Sequence, residues 1–342
     1  MRLFVYDGRR SRDPFLNLAV EAHLMERVPD DAAVLYLWQN DKTVVIGRNQ
    51  NAWRECRAEE LEAAGGHLAR RLTGGGAVYH DEGNLNFTFC APEALYDVEK
   101  QTAVIAAAAR AFGIAAERTG RNDLTAEGRK FSGNAFRRSG GKRLHHGTVL
   151  IDGDMTAMTR WLDAEGSKLR AKGVRSVPSR VINLRELAPE LTVDAFAEAM
   201  KRSFSAVYGA PSSAIKEAAL DREDIERKRR FFASWEWRFG QRLPFADEWR
   251  GVFPWGTLRL SVRAEGGVIQ EAAAESDGMA SEIIAAIPGA LRGVRYGRDA
   301  MAAAILALPA AGAEERAVLA DAADMIRKDR YGAETRGGQN EI

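Results

Sequence analysis

Apolar and polar positions change period along the chain, and each change predicts an element. Arg2–Tyr6 reads as a strand. Asp13-Pro14 then opens a helix, a capping carboxylate followed by proline at the first helical position. Phe15, Leu18, Ala19, Ala22 and Met25 recur at helical spacing, and Leu16, Val20 and Leu24 make the other side apolar too. A helix apolar all round is expected to be deeply buried. Ala33–Trp38 and Thr43–Ile46 read as strands joined by a hairpin-like Gln39-Asn-Asp-Lys42 turn. His67–Leu72 and Ala77–His80 flank a glycine run, and Leu85–Cys90 follows the turn Asp81-Glu-Gly-Asn84. Val98, Ile105 and Phe112 mark the next helix. Arg129–Arg138 and Arg143–Ile151 are strands joined by Ser139-Gly-Gly-Lys142.

Short polar turns between strands, in place of helical crossovers, predict an α+β fold with mixed, largely antiparallel sheets and flanking helices. A doubly wound dinucleotide fold is not expected. A second unit is signalled after Ser234-Trp-Glu-Trp-Arg-Phe-Gly-Gln241. There Leu258, Leu260, Val262 and Ala264 alternate with Arg259, Ser261 and Arg263, and Glu265-Gly-Gly267 turns the chain into Val268–Ala274. Met279, Ile283, Ile284, Ile287 and Leu291 form a helical face, followed by two alanine-rich helices. The pattern divides the chain into domains 1–244 and 245–342, the second a small α+β unit.

Composition narrows the function. With 342 residues the prior is two domains. Lys+Arg 49 against Asp+Glu 48 gives no global field for a nucleic-acid backbone. The two cysteines, Cys56 and Cys90, form neither a disulfide framework nor a zinc spacing, so no structural metal is expected. No apolar run approaches the roughly 20 residues of a membrane helix. A cytoplasmic protein with neither a membrane nor a nucleic-acid partner is the expectation.

The densest chemistry lies in Arg70-Arg-Leu-Thr-Gly-Gly-Gly-Ala-Val-Tyr-His-Asp81. Glycines let main-chain N–H groups approach an anion closely, and the two arginines can supply forked donors to a phosphate or carboxylate. The run opens into a strand and lacks the Gly-Lys-Ser/Thr ending of a P-loop. Read locally, it is equally a glycine-rich turn with exposed arginines. Lys130, on a predicted strand beside small residues, can lie against charge that develops in a reaction, although most lysines are solvated surface groups. Of the adjacent His145 and His146, strand alternation allows at most one into a given pocket.

Together these segments resemble the lipoate–protein ligase family. The carrying motifs are Arg70 to Asn84, Gly120-Arg-Asn-Asp123, Arg129-Lys-Phe-Ser-Gly-Asn-Ala135 and His145-His-Gly147. Asn17-Leu-Ala-Val-Glu21, Val44-Val-Ile-Gly-Arg48 and Asn51-Ala-Trp-Arg-Glu-Cys56 also look familial. The likeness runs in consistent order from about residue 3 to residue 240, and more weakly beyond.

The resemblance implies a catalytic domain over 1–244 and an accessory domain over 245–342. It implies activation of lipoate by ATP with magnesium to lipoyl-AMP, then transfer to an acceptor lysine. The implied acceptors are lipoyl domains of 2-oxoacid dehydrogenase E2 subunits and the glycine cleavage H protein. Carried over residue by residue, Lys130 is the catalytic lysine. Arg71, Gly76, Ala77, Val78, Tyr79, Asn84, Asn122, Asp123 and Lys130 hold the nucleotide, with Asp123 on magnesium. Trp38, Arg71, Thr73, Gly75, Val78, Lys130 and His146 surround lipoate. His145 is implied to be structural.

Three other readings compete. An ATP-independent octanoyl or lipoyl transferase would need a cysteine nucleophile, and Cys90 reads as a packed core thiol. A non-catalytic lipoate or nucleotide sensor could dispense with Lys130 and the glycine loop. A biotin ligase carries a different glycine–arginine signature.

Overall fold

The computed structural model describes residues 1–50, 52–119, 123–162, 181–239, 247–265 and 267–328. Its fold is α+β, with sheets of mostly antiparallel strands. The chain divides into two compact units. The first comprises Met1–Ile46, Ala52–Leu72 and Ala77–Gly240; the second comprises Gly47–Asn51, Thr73–Gly76 and Gln241–Ile342. The predicted boundary segment 241–246 lies outside the described residues.

The strands are β1 (Arg2–Asp7), β2 (Ala32–Trp38), β3 (Thr43–Ile46), β4 (His67–Arg70), β5 (Val78–His80), β6 (Asn84–Pro92), β7 (Glu117–Thr119), β8 (Asp123–Ala126), β9 (Arg129–Ser139), β10 (Lys142–Leu150) and β11 (Ser212–Ala214) in the first unit. In the second they are β12 (Asp247–Phe253), β13 (Gly256–Glu265) and β14 (Val268–Ser276). The first unit's helices are α1 (Pro14–Arg27), α2 (Ala52–Glu55), α3 (Ala58–Ala63), α4 (Val98–Arg110), α5 (Met155–Leu162), α6 (Val193–Tyr208), α7 (Arg222–Ala233) and α8 (Trp235–Phe239). The second unit carries α9 (Ser281–Leu291), α10 (Arg298–Leu306) and α11 (Ala313–Lys328).

An eight-stranded sheet in the order β11-β1-β2-β6-β10-β9-β8-β7 forms the frame of the first unit. Strand β1 runs parallel to both its neighbours, and the other pairs are antiparallel. Alternation along β6 explains the layering. Leu85, Phe87 and Phe89 point to a core with Val104 and Ile105 of α4 and Phe196 and Phe204 of α6. Cys90 points to the opposite core, with Leu18, Val20, Ala22 and Leu24 of α1 and Ile225 and Phe232 of α7. Helix α1 starts as predicted: Asp13 accepts from the amides of Phe15 and Leu16, and Pro14 occupies the first turn. Its burial on both sides follows, because it packs between this sheet face and α7.

The Gln39–Lys42 segment is not a hairpin turn. Strand β2 belongs to the large sheet, whereas β3 is the central strand of a separate three-stranded sheet, β4-β3-β5. Both flanking strands were legible, but four apolar residues do not reveal which partner a strand takes. In the small sheet β4 runs parallel and β5 antiparallel to β3, so the two strands bounding the glycine run do not pair with each other. The second unit has an antiparallel sheet, β12-β13-β14, and the predicted β13–β14 hairpin is present. Its core joins Leu258, Leu260 and Val262 to Ile284, Ile287, Ile305 and Val318. Met279 precedes α9 and is not part of the helical face assigned to it.

Candidate active site

The register of the large sheet lines up one row of positions across five strands. Trp38 of β2 sits opposite Asn86 of β6, and Asn86 opposite Thr148 of β10. The Gly133 amide of β9 donates to Thr148 Oγ1 at 3.3 Å, and Gly133 sits opposite Asp123 of β8. Four interstrand spacings make this row about 19 Å long.

Lys130 stands at one end because of a bulge. Leu124 pairs with Ser132, whereas Thr125 pairs with Lys130, leaving Phe131 as an extra residue in β9. Phe131 turns into the core with Leu124. Bulges of this kind re-aim a neighbouring side chain. Lys130 Nζ lies 2.8 Å from Asp123 Oδ1, and both side chains are partly exposed. A Cβ at residue 133 would come within 2.9 Å of both Cε and Nζ of Lys130, so the lysine occupies the space a side chain there would take. Ile182 donates its amide to the Lys130 carbonyl at 2.9 Å, which holds the bulged strand from its other side.

Trp38, at the other end, is 3% exposed and begins a buried polar chain. Its indole Nε1 donates to Thr88 Oγ1 at 3.0 Å, and the Thr88 hydroxyl donates to Glu21 Oε1 at 2.6 Å. His146 Nδ1 meets the same Glu21 oxygen at 2.7 Å, so this nitrogen carries the proton and donates. His145 faces the opposite way and is buried between Gln101 and Asn134, at 2.9 and 2.8 Å. Burial pushes its pKa down to about 3, assisted by His146 and Arg118, so it is neutral.

The small sheet contributes Arg71 and His80. Arg71 is buried; its Nη1 donates to Val45 O at 3.0 Å, and its amide to Ile46 O at 3.0 Å. Burial lowers its pKa to about 10 against the opposing pull of Glu21, which leaves it cationic at neutral pH. His80 meets Asn40 Nδ2 through Nδ1 at 3.2 Å, and burial, then Arg71 and His146, push its pKa down to about 3. A neutral His80 accepting at Nδ1 carries its proton on Nε2, a buried donor without a partner among the described residues. Asn84 Nδ2 donates to Asn86 Oδ1 at 2.9 Å, while Asn84 Oδ1 and Asn86 Nδ2 are likewise buried without partners among the described residues. Buried orphan polar atoms are costly and mark where a ligand can bind. Tyr79 is buried, with Ala77 and Val78 half-buried beside it.

The remaining predicted loop positions belong to the second unit. Thr73 is buried and its carbonyl accepts from the Arg48 amide at 2.8 Å. Gly75 has φ +91, a conformation that favours glycine. A Cβ on Gly74 would lie 2.3 Å from Gly278 O, and the Gly75 amide donates to that same oxygen at 3.3 Å. Gly76 is exposed. Asn122 lies outside the described residues.

Two expectations need revising. Arg70 is not an anion donor alongside Arg71, because its Nε and Nη2 donate to Trp237 O and Arg238 O, each at 2.8 Å. The hydrogen-bond centre of the site is Glu21, which the sequence reading treated only as part of a familiar motif. Its signal was available: a carboxylate in a helix apolar on every side must be buried, and a buried charge needs partners.

Neither cysteine is placed for nucleophilic work. Cys56 is 2% exposed and its thiol is pushed up to about 12 by burial. Cys90 is fully buried, and burial followed by Glu21 raises its thiol pKa well above the usual range. A thiolate nucleophile needs the opposite surroundings. Among the described residues no group of three or more His, Cys, Asp or Glu side chains could hold a metal ion.

The sheet of this α+β scaffold thus presents a cation at one end of a row and a buried indole at the other. Residues 13–205 match the model of the lipoyl protein ligase A/B catalytic domain, and residues 244–322 that of the bacterial lipoate protein ligase C-terminus. The chain belongs to the lipoate–protein ligase family. Among solved structures it is similar to LipL1 of P. falciparum in complex with lipoate, at 24% identity and TM-score 0.79, covering 94% of this chain and 99% of that one. It is also similar to the bipartite lipoate protein ligase of Thermoplasma acidophilum, described with its E2 lipoyl domain, at 25% identity and TM-score 0.60, covering 72% and 98%. A lipoate-protein ligase A bound with ATP matches at 24% identity and TM-score 0.57, covering 70% and 98%. Among the described residues, no helix is long and apolar enough to cross a membrane.

Proposed function

We propose that this chain is an ATP-dependent lipoate–protein ligase that forms lipoyl-AMP and passes the lipoyl group to an acceptor lysine. The observation that carries this reading is the row from Trp38 to Asp123, which runs from an indole to the Lys130 ammonium across the buried Asn86 amide and the half-buried Thr148 hydroxyl. An acyl chain suits the indole end, and a carboxylate meeting a phosphate suits the ammonium end.

In the first step a lipoate carboxylate oxygen attacks the α-phosphorus of ATP, the bond to the bridging oxygen breaks, and pyrophosphate leaves. Two anions must approach each other. The Lys130 ammonium offsets their repulsion, and the buried Arg71 guanidinium does so in surroundings that screen charge poorly. The main chain of residues 77–79 and the Asn84 amide complete the nucleotide contacts in this reading, with Asn122. Val78 lines the acyl side with Trp38 and His146.

Magnesium, when bound, neutralises the phosphate oxygens. The donor set fits this use: Asp123 offers one carboxylate, and magnesium characteristically takes one or two carboxylates together with substrate phosphates. In the second step the acceptor amine attacks the acyl carbon, an amide forms, and AMP leaves with the electron pair of the broken bond. Lys130 then stabilises the oxyanion without forming a bond to it. The fitting acceptors are lipoyl domains of 2-oxoacid dehydrogenase E2 subunits and the glycine cleavage H protein, in the cytoplasm. The first unit is the catalytic domain in this reading, bounded near residue 244, and the second is accessory.

The test is pyrophosphate release with lipoate, octanoate, biotin or no acid. Release that depends on lipoate and is abolished in a folded Lys130→Ala variant is the expected result. Normal product from Lys130→Ala, or acyl transfer without ATP, would refute the assignment.

A further inference from the structure

The Ser234-Trp-Glu-Trp-Arg-Phe239 motif has no part in the chemistry above, yet it grips the strand that leads into Arg71. Among the described residues strand β4 is an edge strand, with β3 on one side and no strand on the other. The amides of His67 and Arg71 donate to Lys42 O and Ile46 O, so the main-chain groups of Leu68 and Arg70 point to the free edge. Two side chains of α8 meet those carbonyls. Trp237 Nε1 donates to Arg70 O at 2.9 Å, and Arg238 Nε donates to Leu68 O at 3.0 Å. In return the Arg70 guanidinium forks onto Trp237 O and Arg238 O, both at 2.8 Å, capping carbonyls at the end of α8. The arrangement substitutes one helical turn for a missing strand.

We propose that Trp237, Arg238 and Arg70 are positioning residues that immobilise β4 and thereby hold the Arg71 guanidinium in its anion-binding place. Four hydrogen bonds close a reciprocal ring between α8 and β4, and Arg71 is the next residue along. Among the described residues no other strand on that side fixes the backbone that carries this buried guanidinium. This inference rests on the role given to Arg71 under the ligase reading, but the pinning itself does not.

Trp237→Phe keeps an aromatic ring against Phe231 and Phe232 and removes only the bond to Arg70 O. Arg238→Gln, which frees Leu68 O, is the second variant should the first fold poorly. Hydrogen–deuterium exchange in peptides covering residues 67–72 should accelerate about tenfold in either variant. ATP affinity, measured by titration calorimetry, should weaken about tenfold in the native background and less than twofold when Arg71 is already alanine, because coupled residues do not add. Unchanged exchange overturns the pin. Faster exchange with unchanged ATP affinity, or losses that add to those of Arg71→Ala, overturn the positioning role. A native enzyme that releases no pyrophosphate would refute the ligase reading instead, and the exchange measurement would still decide the pin.

Discussion

Lys130 lies where the side chain of residue 133 would be, its Nζ 2.9 Å from the position of an added Cβ on Gly133. The lysine can move more cheaply than the strand can. Gly133→Ala should therefore fold normally but displace the ammonium from Asp123 and from the row it terminates. The expected outcome is a tenfold to hundredfold lower rate of pyrophosphate release, with thermal stability within a few degrees of the native chain.

Glu21 collects two donors, Thr88 Oγ1 and His146 Nδ1, inside the protein. Glu21→Gln retains an acceptor of the same shape, whereas Glu21→Ala strands both donors. Denaturant unfolding should show Glu21→Ala losing about 1–3 kcal/mol more than Glu21→Gln. Equal losses would mean that the carboxylate does not organise this cluster.

Both thiols are buried and raised, so a Cys56→Ala, Cys90→Ala double variant should keep more than half the native kcat/KM for lipoylation. Its stability should fall by about 1–3 kcal/mol, since each change removes a packed sulfur from a core. Loss of activity out of proportion to the folded fraction would revive a cysteine route.

Helices α1 and α7 meet through His23 and Asp224, 2.7 Å apart, with Lys228 on the same carboxylate. Burial alone would raise the Asp224 pKa, but hydrogen bonds from His23 and Lys228 and the nearby charges hold it at about 2. A depressed carboxylate pKa stabilises the fold above its unfolded value near 4, and that contribution disappears as pH falls through about 2. Asp224→Asn should therefore cost about 2 kcal/mol at pH 6 and progressively less below pH 4, read from urea melts across pH.

Strands β1, β2, β6, β9 and β10 of the large sheet and the capped start of α1 were legible because alternation and the Asp-Pro signal are local, whereas β7 and β11 are too short to show a period. Pairing was not: β3 joined a second sheet, and nothing in four apolar residues announces that. The bulge at Phe131 escaped notice because Arg129–Arg138 alternates imperfectly either way. Motif chemistry pointed to Arg71, Lys130 and the histidine pair. It assigned Arg70 wrongly because two adjacent arginines look equivalent until a strand separates them. It also passed over Glu21, Thr88 and His80, whose importance comes from contacts between distant segments.

One extra residue in β9 decides which way Lys130 points. Ironing out the bulge at unchanged length would restore regular pleating and send the Lys130 ammonium toward the hydrophobic interior shared by Phe131 and Leu124. Lys130 should consequently depend on the apolar anchor at Phe131, and a polar residue there should lower activity by letting the strand resume its regular alternation.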